Sequence, residues 1–598
     1  RLYCAMSNRD RAIINKIQSI GPSTPANLSC LTTSNNMVGN EVTLQEVADG
    51  CVDGLRNAIH FCVARINDKT EMRAGSMPLA EIDFVTREVH LSQLYGLYED
   101  LWQALVWGDY DFVNHIPENV YEIVQRKTDR EVARLVSHLR KSRLAAQSAG
   151  VIVQYRIAEL YAAEKYVLIC GSGKRKTLRV RVMREADEHL QAINAHFHAE
   201  ILFLRDEFPD AFLLQEYSKS GFSISDVLSV FRLLILLSNQ YFDRFPVDDS
   251  FSKLKKLQEF CPTLKRQDLV RAIANASGLE YSKVSKIIAF LTYTAGINDD
   301  LWCSPVLEPS PSEILLLVSV LATPVVGRAV EHWLVKLDTD LQAKGQRYEQ
   351  SIADQLNLKL SCNSIFSDFD CANPRKLSIG KNKEEVDLLL RIGKTVLIGE
   401  TKSIVTTDSP ISYHRTLQTL EFAAQQAKRK VQFVGENLEA VFKLLDWDFQ
   451  SASDYTILPV IVSSNRMHAG FAVLDVPVCD DKILCAYFET NTFPLLSTMS
   501  RGKTEHLAWL KLYSNFEEGQ RNLDPYLRTP PQVHNQAYTF EYSHSIVPCI
   551  SEKSYRVMHS RLIPRELSIH DIIRRVHPFP LETVSNIDER LREMDVFV

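Results

Sequence analysis

The 12 cysteines are scattered singly from Cys4 to Cys549, and no two stand in a C-x-x-C pair. Structural zinc sites are usually built on such pairs, so none is expected. Long apolar runs are missing as well. The longest, Ile314 to Gly327, contains Pro324 and falls short of the ~20 residues a helix needs to cross a bilayer. It reads as a buried helix or strand, and no membrane is implied. The opening residues, Arg1-Leu2-Tyr3-Cys4, are polar within a few positions and do not read as a secretory leader. Together with the unpaired thiols, this makes a reducing, cytoplasmic setting the expectation. Gly and Pro, at 22 and 23, are not in excess, which excludes a fibrous or low-complexity chain. No charge of one sign dominates either: 68 Lys and Arg stand against 74 Asp and Glu, a formal net charge of −6. Such a chain does not coat nucleic acid by bulk electrostatics. Any phosphate contact must come from a local basic patch.

What is present is an ordinary globular composition, 45% hydrophobic and 24% charged, spread over 598 residues. That length exceeds one core and implies two to four domains. Residues 1–335 read as mainly α-helical, with apolar residues at three- and four-residue spacing in Leu44 to Ile66, Val120 to Arg143, Arg184 to Leu204 and Ile224 to Phe242. Asn27 to Asn36 and Ser304 to Ser312 read as loops, the second because its three prolines break a helix. Within Gln267 to Thr292, two short amphipathic segments flank Ser277-Gly278-Leu279, a helix-turn-helix pattern that a plain helical hairpin would also produce. From about residue 336 the texture turns to α/β. A helix is expected over Leu341 to Leu356, with a poorly marked strand somewhere in Leu358 to Phe369. Short strands are expected at Glu385 to Leu390, Thr395 to Gly399 and Thr456 to Val462, and a long helix over Tyr413 to Leu445. Residues 481–598 form a C-terminal extension to which the pattern assigns no fold.

Chemistry concentrates in Glu384 to Ser403. Asp387 opens the apolar run Leu388-Leu389-Leu390, a turn follows at Arg391 to Lys394, and Thr395 to Gly399 leads into Glu400-Thr401-Lys402. A β-hairpin brings the start of its first strand beside the end of its second, so Asp387 and Glu400 should meet. Residues i and i+2 of a strand share a face, which puts Lys402 beside Glu400. Two hard oxygen ligands of this kind suit Mg²⁺ at a phosphodiester, with the Thr401 carbonyl free to join them. Lys402 can then orient water and stabilise the charge developing on phosphate. The plainer reading, two solvated carboxylates at strand ends, leaves unexplained why both end apolar strands on the same side.

This run resembles the PD-(D/E)XK nuclease superfamily, with Val386 in place of the proline. The resemblance covers about 140 residues, from 336 to 480. It implies a restriction-endonuclease-like domain, an αβββαβ core whose central mixed sheet is flanked by helices. It also implies a glutamate on the first helix, for which Glu349 stands, and a glutamine on the helix after the lysine, Gln425 or, preferred, Gln426. The function implied is metal-dependent hydrolysis of a nucleic-acid backbone, with DNA as substrate, Mg²⁺ as cofactor and Mn²⁺ as its substitute. By analogy with nucleases of long unassigned flanks, a bacterial anti-phage defence or restriction effector is expected. The helical region would then recognise substrate, sense a trigger, dock a protein partner or pair with a second copy. The alternative is a non-catalytic protein that binds nucleic acid through a degenerate nuclease fold.

Other signals are weaker. Tyr166 to Lys174 suggests a phosphate loop but has Leu168 and Arg175 where glycine and Ser or Thr are required. Lys174, Arg175, Lys176, Arg179 and Arg181 form the densest basic run and are the expected nucleic-acid contact. His189, His196, His198 and Glu200 read as residues of an exposed amphipathic helix before they read as a metal cluster, and the spacing of Arg184 and His189 carries little more. Asp480-Asp481-Lys482 repeats the acid-x-Lys pattern but reads as a polar turn with no strand leading into it.

Overall fold

The two strands of the 388–402 segment are built on the continuous apolar runs Leu388-Leu389-Leu390 and Val396-Leu397-Ile398, the signature of a sheet covered on both faces. The computed structural model bears this out. It describes the chain except residues 21–31, 36–39, 68–80, 116–118, 172–176, 209, 246–253, 297–298, 340–341, 405–406, 408, 501–502, 535–538, 548–555, 566–567 and 596–598. Most of the expected loop Asn27 to Asn36 lies outside the described residues, while Thr32–Asn35 is a strand. The chain is mixed helix and sheet and divides into two compact units. One holds Arg1–Trp102, Ser142–Thr339 and Ser545–Val557, the other Gln103–Lys141, Asp340–His544 and Met558–Val598. The expected boundary at 335 thus lies close to the break at 339. Of the residues after 480, those up to His544 and from Met558 onward fall in the second unit and Ser545–Val557 in the first, while Gln103–Lys141 of the expected helical region falls in the second.

In the second unit, α1 (Gln342–Cys362) leads to β1 (Phe369–Ala372), a side hairpin β2 (Arg375–Ile379) and β3 (Asn382–Val386), then β4 (Leu388–Ile392) and β5 (Thr395–Lys402). There follow α2 (Pro410–Glu436), α3 (Leu438–Leu445), β6 (Thr456–Ser463), β7 (Ala472–Val473), β8 (Val476–Cys479) and α4 (Asp481–Glu489). Six strands form one sheet in the order β1-β4-β5-β6-β8-β7. β4 pairs antiparallel with β1 and β5, whereas β5 and β6 run parallel. The expected first strand is displaced to Phe369–Ala372, because α1 continues to Cys362 through Leu356 and Leu360, both buried on its helical stripe. The expected single helix Tyr413 to Leu445 is two, parted at Asn437. Leu388, Leu390, Ile392 and Leu397 pack in the core that holds Ile352 and Leu356 of α1 and Ile483 of α4. Leu389, Val396 and Ile398 face the other way, onto Val434 of α2 and Phe442 of α3. This is the alternation of a pleated strand.

Two glycines set the hairpin. Gly393 has φ 51, the left-handed conformation a two-residue turn between Ile392 and Thr395 requires. Gly399 stands opposite Leu388, and a Cβ there would lie 2.8 Å from the Leu388 Cβ. That close approach fixes the register that places Asp387 beside the end of β5.

In the first unit, helix Ile224–Phe242 falls where expected, with 15 of its residues buried. Helix Arg266–Ser277, Gly278 at φ 77 and helix Tyr281–Phe290 form a helix-turn-helix. Strand Thr263–Lys265 precedes it, and strands Val306–Ser310 and Glu313–Leu316 follow as a hairpin, the three forming a sheet with Glu313–Leu316 in the middle. The expected loop Ser304 to Ser312 is therefore largely strand. Its Pro309 is tolerated because the strand is at an edge and its register shifts between Leu307 and Ser310. In the second unit, Val120–Gln125 is likewise a strand, not the start of a helix, and the helix begins at Asp129.

Gly399→Val is expected to lower the urea midpoint at unchanged m, by about 1–3 kcal/mol of stability, because β5 cannot retreat from Leu388. An unchanged midpoint would show that the register has slack.

Candidate active site

The hairpin register sets Leu388 opposite Gly399, so Asp387, at the break between β3 and β4, comes alongside the last residues of β5. The Thr401 backbone N–H donates to Asp387 Oδ2 at 2.9 Å. Glu400 projects from the same face of β5 as Val396 and Ile398, toward α2. Its Oε1 accepts from Lys402 Nζ at 2.6 Å.

The two carboxylates are not the solvated strand-end groups of the plainer reading. Asp387 is 7% exposed and Glu400 2%. Lys430, on α2, makes that burial tolerable. Its Nζ donates to Asp387 Oδ1 at 2.8 Å and touches Glu400 Oε2, an ion contact without hydrogen-bond geometry. Burial opposes the charge on Lys430, but Asp387 and Glu400 outweigh it and raise its pKa above the ordinary lysine value. Sequence reasoning passed over Lys430. The signal was there: it stands three residues after Ala427 and four before Val434, on the buried stripe of α2, where a charge needs a partner.

Glu349, on α1, lies near enough to feel the site. Burial, followed by the charge of Asp387, pushes its carboxyl up to about 7, with Lys430 pulling the other way and Glu385 and Glu400 adding to the rise. Gln425 is exposed. Gln426 is half-buried, and its Oε1 is buried without a hydrogen-bond partner. Gln426 and Lys430 stand four residues apart, on one face of α2. Asp387, Glu400, Thr401, Lys402, Glu349 and Gln426 therefore belong to one unit, with Lys430 added.

The donors are hard oxygens, which suit Mg²⁺ rather than zinc. Asp387 and Glu400 are close enough to share a single ammonium, so one cation can reach both. The orphaned Gln426 Oε1 adds an acceptor. In those respects the residues fit a divalent ion, although among the described residues no group of three or more His, Cys, Asp or Glu gathers as a ready-made metal cluster.

Of the expected nucleic-acid contact, Lys174, Arg175 and Lys176 lie outside the described residues. Arg179 and Arg181 stand on strand Thr177–Val182 of the first unit, Arg179 exposed and Arg181 half-buried. His198 accounts for itself structurally: it bonds Glu164 at 2.8 Å and stacks on Tyr161. His196 pairs with Glu200 at 3.2 Å, and His189 is exposed. A strand, β8, does lead into Asp480-Asp481-Lys482. Asp480 there caps α4 through the Ile483 N–H and pairs with Arg140. Comparison with protein-family models, curated proteins and solved structures finds no match for this chain.

Glu349 gives a pH signature. Its folded-state pKa of about 7 exceeds the ordinary 4.5, so the folded protein binds that proton more tightly than the unfolded chain. The penalty is absent below 4.5, grows as pH rises, and is complete above 7. Glu349→Gln should therefore match the wild-type Tm near pH 4.5 and exceed it at pH 8 without divalent cation. Parallel Tm curves across that range would remove Glu349 from the site.

Proposed function

We propose that this protein is a divalent-metal-dependent nuclease that hydrolyses phosphodiester bonds, with DNA as substrate. The observation that carries this reading is the convergence of Asp387 and Glu400 at one sheet end, with Lys402 on the same face of β5. The order α1, β1, β4, β5, α2, β6, three antiparallel strands and then a parallel one, supports a restriction-endonuclease-like core. Asp387, Glu400 and the Thr401 carbonyl would hold Mg²⁺, or Mn²⁺ in its place. Bound there, the ion supplies a Lewis acid and lowers the pKa of a coordinated water. Lys402, 23% exposed at its side chain, would orient a water and counter the charge that develops on the phosphate. Glu349, which titrates near neutrality, can take or return a proton.

The first unit supports a nucleic-acid substrate independently. Its helix-turn-helix carries a β-hairpin beside the second helix, which exposes Tyr281, Ser282 and Lys286. A helix of this size fits a major groove. Lys265, Arg266, Arg271, Lys283 and Lys286 on this element stand against Asp268, Glu280, Glu308 and Glu313, with Arg266 paired to Glu308 and Lys283 to Asp226, so it is suited to read groove shape and base edges more than to grip phosphate. Phosphate affinity falls to the basic strand instead. Arg179→Gln with Arg181→Gln should flatten the slope of log Kd against log salt by up to about two. An unchanged slope makes that strand an ordinary solvated face.

Cleavage of single- and double-stranded DNA and RNA in Mg²⁺ or Mn²⁺ tests the reading directly. Lys402→Ala should lower the rate by about 10²-fold or more while metal binding persists. Asp387→Ala should lose cleavage and metal together. Because Asp387 is buried against Lys430, that variant should also be less stable, by about 3–5 kcal/mol for a broken buried pair. Equal cleavage by wild type and Lys402→Ala would place the chemistry elsewhere, and absence of metal-dependent cleavage with folded wild type would favour the non-catalytic alternative.

A further inference from the structure

The two carboxylates that would hold a divalent cation are closed over a cation of the chain's own. Lys430 Nζ lies between Asp387 Oδ1, at 2.8 Å, and Glu400 Oε2, with its side chain 4% exposed. Lys402 adds a second ammonium, 2.6 Å from Glu400 Oε1. Asp387 and Glu400 are thus matched charge for charge by Lys402 and Lys430. These four side chains alone give a divalent ion no net attraction at a distance, leaving what attraction there is to the outlying Glu349 and Glu385. At contact the ion meets an ammonium on the very oxygens it would bind, in a buried site where like charges are poorly screened.

We propose that Lys430 is a resident counter-cation that competes with the divalent metal for Asp387 and Glu400, so that metal binds weakly to the free protein and tightly only once a phosphodiester is in place. The inference rests on the nuclease reading of the same site. A phosphodiester contributes a negative charge, and that charge favours a second and third positive charge in the site. Metal and nucleic acid then strengthen each other's binding by the same factor, as linkage requires. The identity of the residue matters. A lysine is a point charge on a flexible four-carbon stem, whereas an arginine would hold both carboxylates with a rigid fork. Lys430 also has somewhere to go. Helical side chains lean toward the preceding turn, and one turn back stands Gln426, whose buried Oε1 has no partner. Withdrawal of the ammonium toward that oxygen frees Asp387 and Glu400 without leaving the lysine unpaired.

The test is calorimetric titration of Mn²⁺ into the full chain without nucleic acid, for wild type, Lys430→Gln, Lys430→Arg and Asp387→Asn. Lys430→Gln is expected to bind Mn²⁺ at least tenfold more tightly than wild type, and Lys430→Arg no more tightly. A duplex with phosphorothioate linkages should tighten Mn²⁺ binding to wild type at least tenfold, and to Lys430→Gln by less. Equal Mn²⁺ affinity in wild type and Lys430→Gln, with Asp387→Asn weaker than both, overturns the competition but leaves the metal site standing. If Asp387→Asn binds Mn²⁺ as well as wild type does, the metal site itself is wrong. Should Lys430→Gln be unfolded in EDTA, Mn²⁺ is expected to restore its Tm while barely moving that of wild type. Failure to restore it counts against the proposal.

Discussion

A buried ammonium between two buried carboxylates is the constraint on which this half of the molecule turns. Removing a carboxylate from water costs several kcal/mol even after the protein relaxes, and two like charges at one sheet end cost more. Asp387 and Glu400 are nevertheless almost wholly buried. Their neighbours are what they are because of it. Gly399 lets Leu388 approach so that Asp387 sits beside Thr401 and accepts its N–H. Helix α2 is capped at Ser409, opens with Pro410, and runs about five turns before it presents Lys430 to the pair. A shift of one residue in either element would carry a charge to the wrong face.

The two lysines divide the work that one cation could not do. Lys402 rides on β5, so its distance from Glu400 is set by a single strand and survives small movements of the helices. Its side chain is partly exposed. Lys430 belongs to another element, and its hold on the site depends on how α2 lies against the sheet. One lysine keeps a partly exposed side chain, the other is buried and balances what the strands bury.

Much of the site's frame was legible in the sequence because it is local. Alternating faces, a turn ending at Gly393-Lys394 and an acid-x-Lys at a strand end all fall within Asp387 to Lys402, although the turn was read from Arg391 and the strand in fact runs on to Ile392. What was not legible is non-local. The burial of Asp387 depends on Lys430, 43 residues further on, and the strand pattern alone made that carboxylate look solvated. Short elements failed for a different reason. Phe369–Ala372 has 4 residues, too few for a period to emerge. Val120–Gln125 was read as helix because its apolar residues, Val120, Ile123 and Val124, fit a helical spacing as well as a strand. Its pairing in a sheet, with Tyr110–His115 on one side, decides between them.

The chain also contains a control for the idea that Lys430 marks a working site. Asp480 is as buried as Glu400 and is likewise held by a cation, Arg140. There the arginine engages both carboxylate oxygens, and the Ile483 N–H takes up further acceptor capacity at the cap of α4. Every strong interaction that carboxylate can make is made within the protein, and a planar fork leaves no room for a small ion. At Asp387 and Glu400 the pairing is of another kind. Lys430 is shared between the two carboxylates, Lys402 holds the other oxygen of Glu400, and the Thr401 N–H bonds the other oxygen of Asp387. Structural burial of an acid saturates it, as at Asp480. The pair at the end of β5 is held instead by ammonium groups on flexible stems, without the planar fork that closes off Asp480.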